Sequence, residues 1–543
     1  MRTRYPKASP AIVCAALFCA HAAAGAQPAA SRTASTLISP RARAVATLSA
    51  DALGVLLRKA FPRQPTLQSW IGTPKCGVRV YKFLYATIGG QGEATDASGA
   101  LMVPTGAAAR CRGPRPMVLY THGTAIDRAE DMSAISDPAN PAHGSSTGVA
   151  LVFGAQGYIV VAPNYAGYDV SRLTYHPYLN RVQQSQDAID SLTAGRQLLR
   201  RIGGSVGDDG KLFVTGYSQG GFVSMATLQA LDEQGHPATA GAPMSGPYAL
   251  LAMGDEVYLG HPDFGATAYL PLVTNSYAHL EHGSIDPGQI LSATFREAAT
   301  LFPGRIGYDG LDKLIANGDL PASAIFQSES TGAGAPGFSA QQYPALAALP
   351  EGAPLYKAGF DPSRYLVDTA FRAAYVADID ANPDGAAPPD GSAPKLATVV
   401  PSMPEHPRSL LRQDLEANDL RNYTPSMPLL MCGGHGDPEV FWDQGAGAMT
   451  EMLQSKVAAH PGLRFATLDL DTGEKRAGTY VEHGLTASRN AALRSIATRL
   501  QGGFTAFQHA VVASKGARVG MEAYHTDEVP YCMVAARVFF EQY

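Results

Sequence analysis

A short apolar run, Lys211-Leu212-Phe213-Val214-Thr215, leads into Gly216-Tyr217-Ser218-Gln219-Gly220-Gly221, and an amphipathic stretch follows at once. The order is strand, tight turn carrying serine, helix, and few architectures accommodate it. Glycines two before and two after the serine let the two backbones approach closely. The helix N-terminus adds N–H groups with no partner inside the helix and a partial positive charge beside the hydroxyl. Phe222, Met225 and Leu228 recur at helical spacing, so this helix is predicted to pack on a sheet. The G-x-S-x-G pattern selects nothing by itself, because in a chain with 56 glycines it also surrounds Ser146 and Ser205. Ser205 precedes the strand, in a polar Gly/Asp loop, and Ser146 has no strand before it. Both read as turn residues, and Ser218 is the candidate nucleophile.

Continuous apolar runs of the kind found in buried parallel strands recur at 117–120, 158–162 and 429–432. Further strands are predicted at 78–85, 99–103, 211–215, 239–244 and 463–470. Helical patterns lie at 49–61, 183–200, 222–231, 439–458 and 488–500. The alternation predicts an α/β fold with a mostly parallel central sheet. Residues 251–424 break the rhythm and are too long for a connection. They read as an inserted helical cap or lid, with helices at 287–301, 311–316, 362–375 and 409–419 among the Gly/Pro-rich stretches 332–337 and 384–394. Its aromatics Tyr258, Phe264, Tyr269, Tyr277, Phe295, Phe302 and Tyr308 either line an acyl pocket or form the cap's own core. The expected organisation is a leader (1–26), an N-terminal lead and helix (27–74), a first core part (75–250), the cap (251–424), and a second core part with a C-terminal tail (425–543).

Residues 1–26 have a basic start at Arg2, Arg4 and Lys7, an apolar stretch, and the small-x-small site Ala24-Gly25-Ala26. This is the pattern of a secretory signal peptide, and it predicts a secreted or periplasmic protein without a transmembrane segment. Cleavage removes three positive charges and no negative ones, moving the net charge from −5 to −8. A nucleic-acid partner wants a basic face and is not expected. Charged residues make up 16% of the chain, which leaves room for a large core. The four cysteines beyond the leader, Cys76, Cys111, Cys432 and Cys532, suggest two disulfides with three possible connectivities. Cys76–Cys111 would bracket an opening pair of strands. Cys432–Cys532 would pin the tail near the loop after the 429–432 strand. Cysteine and histidine spacings for a structural metal are not found.

A serine that attacks a carbonyl needs a base, a group that orients the base, and donors for the oxyanion. In this kind of sheet the acid and the base follow the serine in that order. Asp437, in Gly433-Gly434-His435-Gly436-Asp437-Pro438-Glu439, sits just past a predicted buried strand, where ligand-facing groups collect. A helix N-cap is the competing role for it. His483 is the preferred base, because one strand and one helix separate it from Asp437. His525, in a tail with no clear strand before it, is the competitor, and His435 is a possible lining residue. The oxyanion donors are the amides of Gln219 and of Thr124 in Thr121-His122-Gly123-Thr124, with His122 bracing that loop.

Taken in order, His122-Gly123-Thr124, Ala162-Pro163-Asn164-Tyr165-Ala166-Gly167-Tyr168, His176-Pro177-Tyr178-Leu179 and Gly216 to Gly221 resemble secreted bacterial and fungal lipases and esterases of the α/β-hydrolase fold. They are similar to the secretory lipase group that includes Candida antarctica lipase A. The resemblance covers roughly 75–250 and 425–500 and leaves out the cap and the last 40 residues. It implies a serine triad at Ser218, Asp437 and His483, no cofactor, and carboxylic-ester substrates, whether small, lipid or polyester. A serine exopeptidase on the same fold is the alternative. It would need a carboxylate pair for a peptide terminus, for which Asp255-Glu256 is the adjacent pair in the cap. A non-catalytic binding protein that keeps the fold is the third reading.

Overall fold

The computed structural model describes residues 37–39, 43–280, 285–307, 310–328, 358–384, 407–471 and 480–543. The leader, Tyr308 and the Gly/Pro-rich stretches 332–337 and 385–394 lie outside them. Ten strands form one sheet: β1 (Ala44–Leu48), β2 (Gly77–Ile88), β3 (Ala94–Thr105), β4 (Gly113–Thr121), β5 (Ile159–Pro163), β6 (Val206–Tyr217), β7 (Ala240–Met244), β8 (Leu429–Gly433), β9 (Phe465–Asp469) and β10 (Tyr480–His483). Their spatial order is β1-β2-β3-β5-β4-β6-β7-β8-β9-β10. The centre, β5 through β9, pairs in parallel, and the antiparallel pairings lie toward the edges.

The central strands are apolar throughout because both faces are covered. Successive residues point to opposite sides: Val118, Val160 and Phe213 face one hydrophobic layer, and Leu119, Val161 and Val214 the other. The helices Arg181–Ile202 and Gln219–Glu233 pack into one layer. The helices Ala50–Ala60, His143–Val152 and Ala517–Phe540 pack into the other, where Ala487–Lys515 also contributes Leu493, Ile496 and Leu500. Two edge strands, β1 and β10, were not expected from the sequence. Both are short and only half-buried, so neither carries an apolar run. The predicted helix at 488–500 runs on to Lys515, and a second long helix, Ala517–Phe540, fills the tail.

Between β7 and β8 the described residues add helices and no strand to the sheet. The helix predicted over 287–301 is interrupted. After Pro287–Ile290 the backbone extends at Leu291 to bridge Val367, and a 3-10 turn, Ala293–Thr300, follows. The helix predicted from 362 starts instead at Thr369, where the Asp368 carboxylate accepts from the Ala370 and Phe371 amides. Fully buried Arg412 joins three of these helices. Its Nε and Nη2 donate to Asp255 at 2.9 and 2.8 Å, and its Nη1 to Asp378 at 3.0 Å. Both expected disulfides form, Cys76–Cys111 and Cys432–Cys532. Among the described residues no helix is long and apolar enough to cross a membrane.

Candidate active site

Ser218 sits between β6 and the helix Gln219–Glu233 with φ 61° and ψ −124°. That backbone region costs a non-glycine residue of order 1–3 kcal/mol and persists only where the surroundings enforce it. The enforcing contacts are visible. A Cβ at Gly216 would lie 2.1 Å from Thr121 Oγ1, and one at Gly220 would lie 2.0 Å from the Thr121 carbonyl. The end of β4 therefore presses on both sides of the turn, and only glycine fits there. The Ser218 amide donates to the Met244 carbonyl at 3.0 Å, tying the turn to β7. The other two pattern matches differ: Ser146 lies inside the helix His143–Val152 rather than in a turn, and Ser205 is exposed ahead of β6.

Gln219 occupies the first helical position, where a backbone N–H has no acceptor within the helix. Its side chain is fixed from below by fully buried His176. The His176 Nδ1 lies 2.9 Å from the Ala166 carbonyl, so it carries the proton, and Nε2 accepts from Gln219 Nε2 at 2.7 Å. Burial holds this imidazole neutral, with a pKa lowered to about 3. The Thr121–Thr124 loop abuts the serine, since a Cβ at Gly123 would approach Ser218 Cβ to 3.5 Å. Thr124 Oγ1 contacts Tyr178 Oη at 2.9 Å. His122 is buried against Tyr165 with Nδ1 2.7 Å from the Gly123 carbonyl, and burial lowers its pKa to about 4. A neutral ring bonded to its own loop suits bracing.

Asp437 is buried on the loop after β8. Its Oδ1 accepts the Glu439 and Val440 amides at 2.9 and 3.1 Å, and its Oδ2 lies 2.6 Å from Nδ1 of His525. A carboxylate only accepts, so Nδ1 carries the proton. The other ring nitrogen, Nε2, is shielded from solvent and has no protein partner. The ring packs on Tyr217, the residue before Ser218, with centroids 4.8 Å apart. Burial would lower the His525 pKa, but the Asp437 and Glu439 charges and the Asp437 hydrogen bond outweigh it and raise it to about 10.

His483 is the correction. It ends β10, opposite Phe465, and Phe465 is opposite Leu429, the first residue of β8. Asp437 follows the last residue of β8. His483 therefore lies a whole strand away, roughly 13 Å at about 3.3 Å per residue, toward the other end of the sheet. The antiparallel pairing of β10 with β9 places it there. His435 pairs with Asp469, Nδ1 to Oδ2 3.4 Å, and stacks on Trp442.

A cavity of about 690 Å³, its open mouth included, has Ser218 and Gln219 among its lining residues. Met253, Val257, Leu270, Val273 and Leu411, from the segment between β7 and β8, form much of its wall. Of the aromatics singled out there, Tyr258 and Tyr269 line this cavity, while Tyr277, Phe295 and Phe302 are buried in the core. The Asp255-Glu256 pair is otherwise engaged: Arg412 and Tyr375 hold Asp255, and Glu256 Oε1 lies 2.5 Å from His261 Nδ1.

A mostly parallel sheet with helices on both faces, and a strained serine turn at the C-terminal end of a central strand, define the α/β-hydrolase fold. Structural neighbours of the chain include esterases and other hydrolases. The rice cell wall degrading esterase LipA from Xanthomonas oryzae matches with a TM-score of 0.56 and 25% identity, over 81% of this chain and 92% of that one. A putative hydrolase from Legionella pneumophila matches with a TM-score of 0.53 and 20% identity, over 76% of this chain and 88% of that one. Candida antarctica lipase A matches with a TM-score of 0.42 and 13% identity, over 78% of each chain. No family model and no curated protein matches the sequence.

Sequence reasoning gave His525 second place and did not register Glu528. Both belong to the buried stripe Met521, Tyr524, His525, Glu528, Tyr531, Cys532, which repeats every three to four residues. Two ionisable residues at core positions of an apolar stripe are the signal that could have found them.

Proposed function

We propose that this chain is a secreted serine hydrolase that cleaves carboxylic esters, with Ser218 as nucleophile, His525 as base and Asp437 as the group that orients it. Ser218 Oγ attacks the carbonyl carbon, and His525 Nε2 takes the hydroxyl proton and returns it to the leaving alcohol. Asp437 holds the Nδ1–H tautomer and stabilises the imidazolium. The amides of Gln219 and Thr124 receive the oxyanion. Water then repeats the sequence on the acyl-enzyme, releasing the acid and Ser218. The observation that carries this reading is the buried 2.6 Å His525–Asp437 bond packed against the residue that precedes a strained serine. The apolar walls of the cavity favour an acyl chain there, with the segment between β7 and β8 acting as its cap. The LipA neighbour is named for cell wall degradation, which makes polymer-borne esters candidates beside lipid and small esters. Two disulfides and the N-terminal leader pattern support export.

Ser218→Ala and His525→Ala are expected to abolish p-nitrophenyl ester cleavage in folded protein. His483→Ala is expected to stay within about two-fold of the parent, as edge positions away from a site do. Substantial turnover by Ser218→Ala would sink the reading, and loss on changing His483 but not His525 would return the base to His483.

An exopeptidase is the second reading. Asp263 and Glu439 line the same cavity as Ser218 and form the carboxylate pair such an enzyme needs. Two features weigh against it. Tyr269 donates its hydroxyl to Glu439, and burial together with the Glu439 charge raises the Asp263 pKa to about 8, so that this group is mostly neutral at pH 7. Turnover of aminoacyl-arylamides in preference to esters would favour it nonetheless.

A further inference from the structure

Behind the His525–Asp437 pair lies a second carboxyl group that the proposed chemistry does not use. Glu528 is fully buried and sits one helical turn after His525. Its Oε1 is 2.7 Å from the Tyr217 hydroxyl and is also hydrogen-bonded to the Ser245 hydroxyl. Its Oε2 is buried without a partner. Tyr217 precedes the nucleophile, and Ser245 begins the loop after β7, where its amide donates to the Cys432 carbonyl at 2.8 Å. One side chain thus joins the helix that carries His525 to the serine turn and to the β7 end. We propose that Glu528 is a positioning residue for the reaction at Ser218, and that it does this work as a protonated carboxylic acid. The inference rests on the hydrolase reading above and goes further by naming what aims the imidazole.

Counting protons supports the neutral form. The Tyr217 hydroxyl also bonds the His525 carbonyl, an acceptor only. Three oxygen–oxygen contacts therefore have to be filled: Tyr217 to the His525 carbonyl, Ser245 to Glu528, and Glu528 to Tyr217. The two hydroxyls bring two protons, and the His525 Nδ1 proton, though 3.1 Å from the Tyr217 oxygen, goes to Asp437; a protonated Glu528 carboxyl supplies the third by donating to the Tyr217 oxygen. The surroundings agree. Ligand atoms of Glu528, Asp437 and His525 all lie within 4.8 Å of one another, and two buried carboxyls that close do not both ionise. Asp437 has two amides and an imidazole N–H to stabilise its charge, whereas Glu528 has an oxygen with nothing. Burial, and then the Asp437 charge, push the Glu528 carboxyl well above the usual carboxylate range. The other titratable groups around it are Tyr217, Tyr248 and Tyr524, phenols that burial raises, and His525, whose charge favours an ionised Glu528 but is bonded to Asp437 and is outweighed by burial and the Asp437 charge.

The test is a set of variants in the full-length protein, with unfolding temperature and fluorophosphonate labelling of Ser218 as checks of folding. Glu528→Ala is expected to lower kcat by about 10²-fold, the scale for a catalytic group displaced by an ångström or so, with KM little changed. Glu528→Gln keeps a neutral donor and acceptor in the same place and is expected to restore most of that loss, with the acid limb of the pH–rate profile unmoved. The infrared difference between the parent and Glu528→Gln should contain a protonated-carboxyl band. If Glu528→Ala does not fold, Tyr217→Phe, which deletes the same link, should show the same kcat loss at constant KM. Full activity in folded Glu528→Ala overturns the positioning role. A Gln variant as impaired as Ala, with a shifted limb and no protonated-carboxyl band in the difference spectrum, overturns the neutral form. Both results are separable from failure of the hydrolase reading, in which Ser218→Ala itself would stay active.

Discussion

His525 is pulled in two directions. Burial disfavours its charged form, and the carboxylates around it favour that form more strongly, raising its pKa to about 10. As the proposed base, His525 acts through its neutral ring, so kcat/KM should rise with pH through a limb above the ordinary histidine value of about 6.5. If Glu528 is neutral, one of the raising charges is absent, and the limb falls between about 6.5 and about 10. Stability runs the other way. A raised pKa contributes stability that is complete below the unfolded value and is lost as pH climbs through the folded one, so activity gains where the His525–Asp437 ion pair weakens. Asp437→Asn should cut kcat by about 10⁴-fold, the cost known for losing the correct tautomer, and should move the limb down, because burial is then opposed by fewer charges. A pH–rate profile of the two proteins checks both points, and an unmoved limb would separate Asp437 from the base. At this scale the sequence showed Ser218 clearly, since strand, glycines and helix all surround it within about twenty residues. It hid His525, because choosing a base by the nearest strand and helix presumes that the chain stays in sheet order after β9. The helix Ala517–Phe540 leaves that order and brings His525 against Tyr217, the residue before Ser218.

That helix is an element whose position depends on one covalent link. Cys432 ends the apolar part of β8, five residues before Asp437, and Cys532 lies two helical turns beyond His525. The bridge therefore fastens the strand that leads to Asp437, the proposed acid, to the helix that holds His525, the proposed base. The sequence already suggested this bond, together with a tail pinned near Asp437. Followed one step further, the same bond favours the histidine in the tail. The helix itself was obscured by Gly516, Gly520 and Pro530, which read as breakers, and by a last stretch, 531–540, so fully buried that it shows no polar face. Closing a loop of 100 residues constrains the unfolded chain by about 4–5 kcal/mol in the loop-entropy view. Cys432→Ser/Cys532→Ser should accordingly lower the unfolding temperature far more than a surface substitution. It should also lower kcat in protein that remains folded, since the acid and the base lose their common clamp. An unchanged kcat in the folded double variant would show that packing alone holds the pair.

Across the whole molecule, the sheet, its parallel centre and the covering of both faces were legible, because buried parallel strands have apolar runs that survive any detail of packing. The segment between β7 and β8 was legible as an interruption and in two of its helices, expected at 311–316 and 409–419 and formed as Gly310–Asn317 and Leu410–Ala417, but not in its packing. Its contacts are long-range and individual: Arg412 reaching Asp255 and Asp378, or Leu291 bridging Val367. No short-range period announces such contacts. Yet this segment supplies most of the cavity wall facing Ser218, so substrate length should be set there and not by the sheet. Val273, half-buried on the helix Ala266–Tyr277, projects into that cavity without belonging to the fully buried core. Val273→Trp should fill the space where a chain would lie while leaving the serine turn untouched. Each methylene denied burial costs about 0.8 kcal/mol. Excluding two or three of them therefore predicts a loss of kcat/KM of about ten-fold or more on long acyl esters. Acetyl esters, which do not reach that far, should be cleaved as before. The measurement is an ester series from acetate to long-chain acyl on both proteins. Equal losses at every length would place the acyl chain elsewhere and leave this cavity to the alcohol half of the ester.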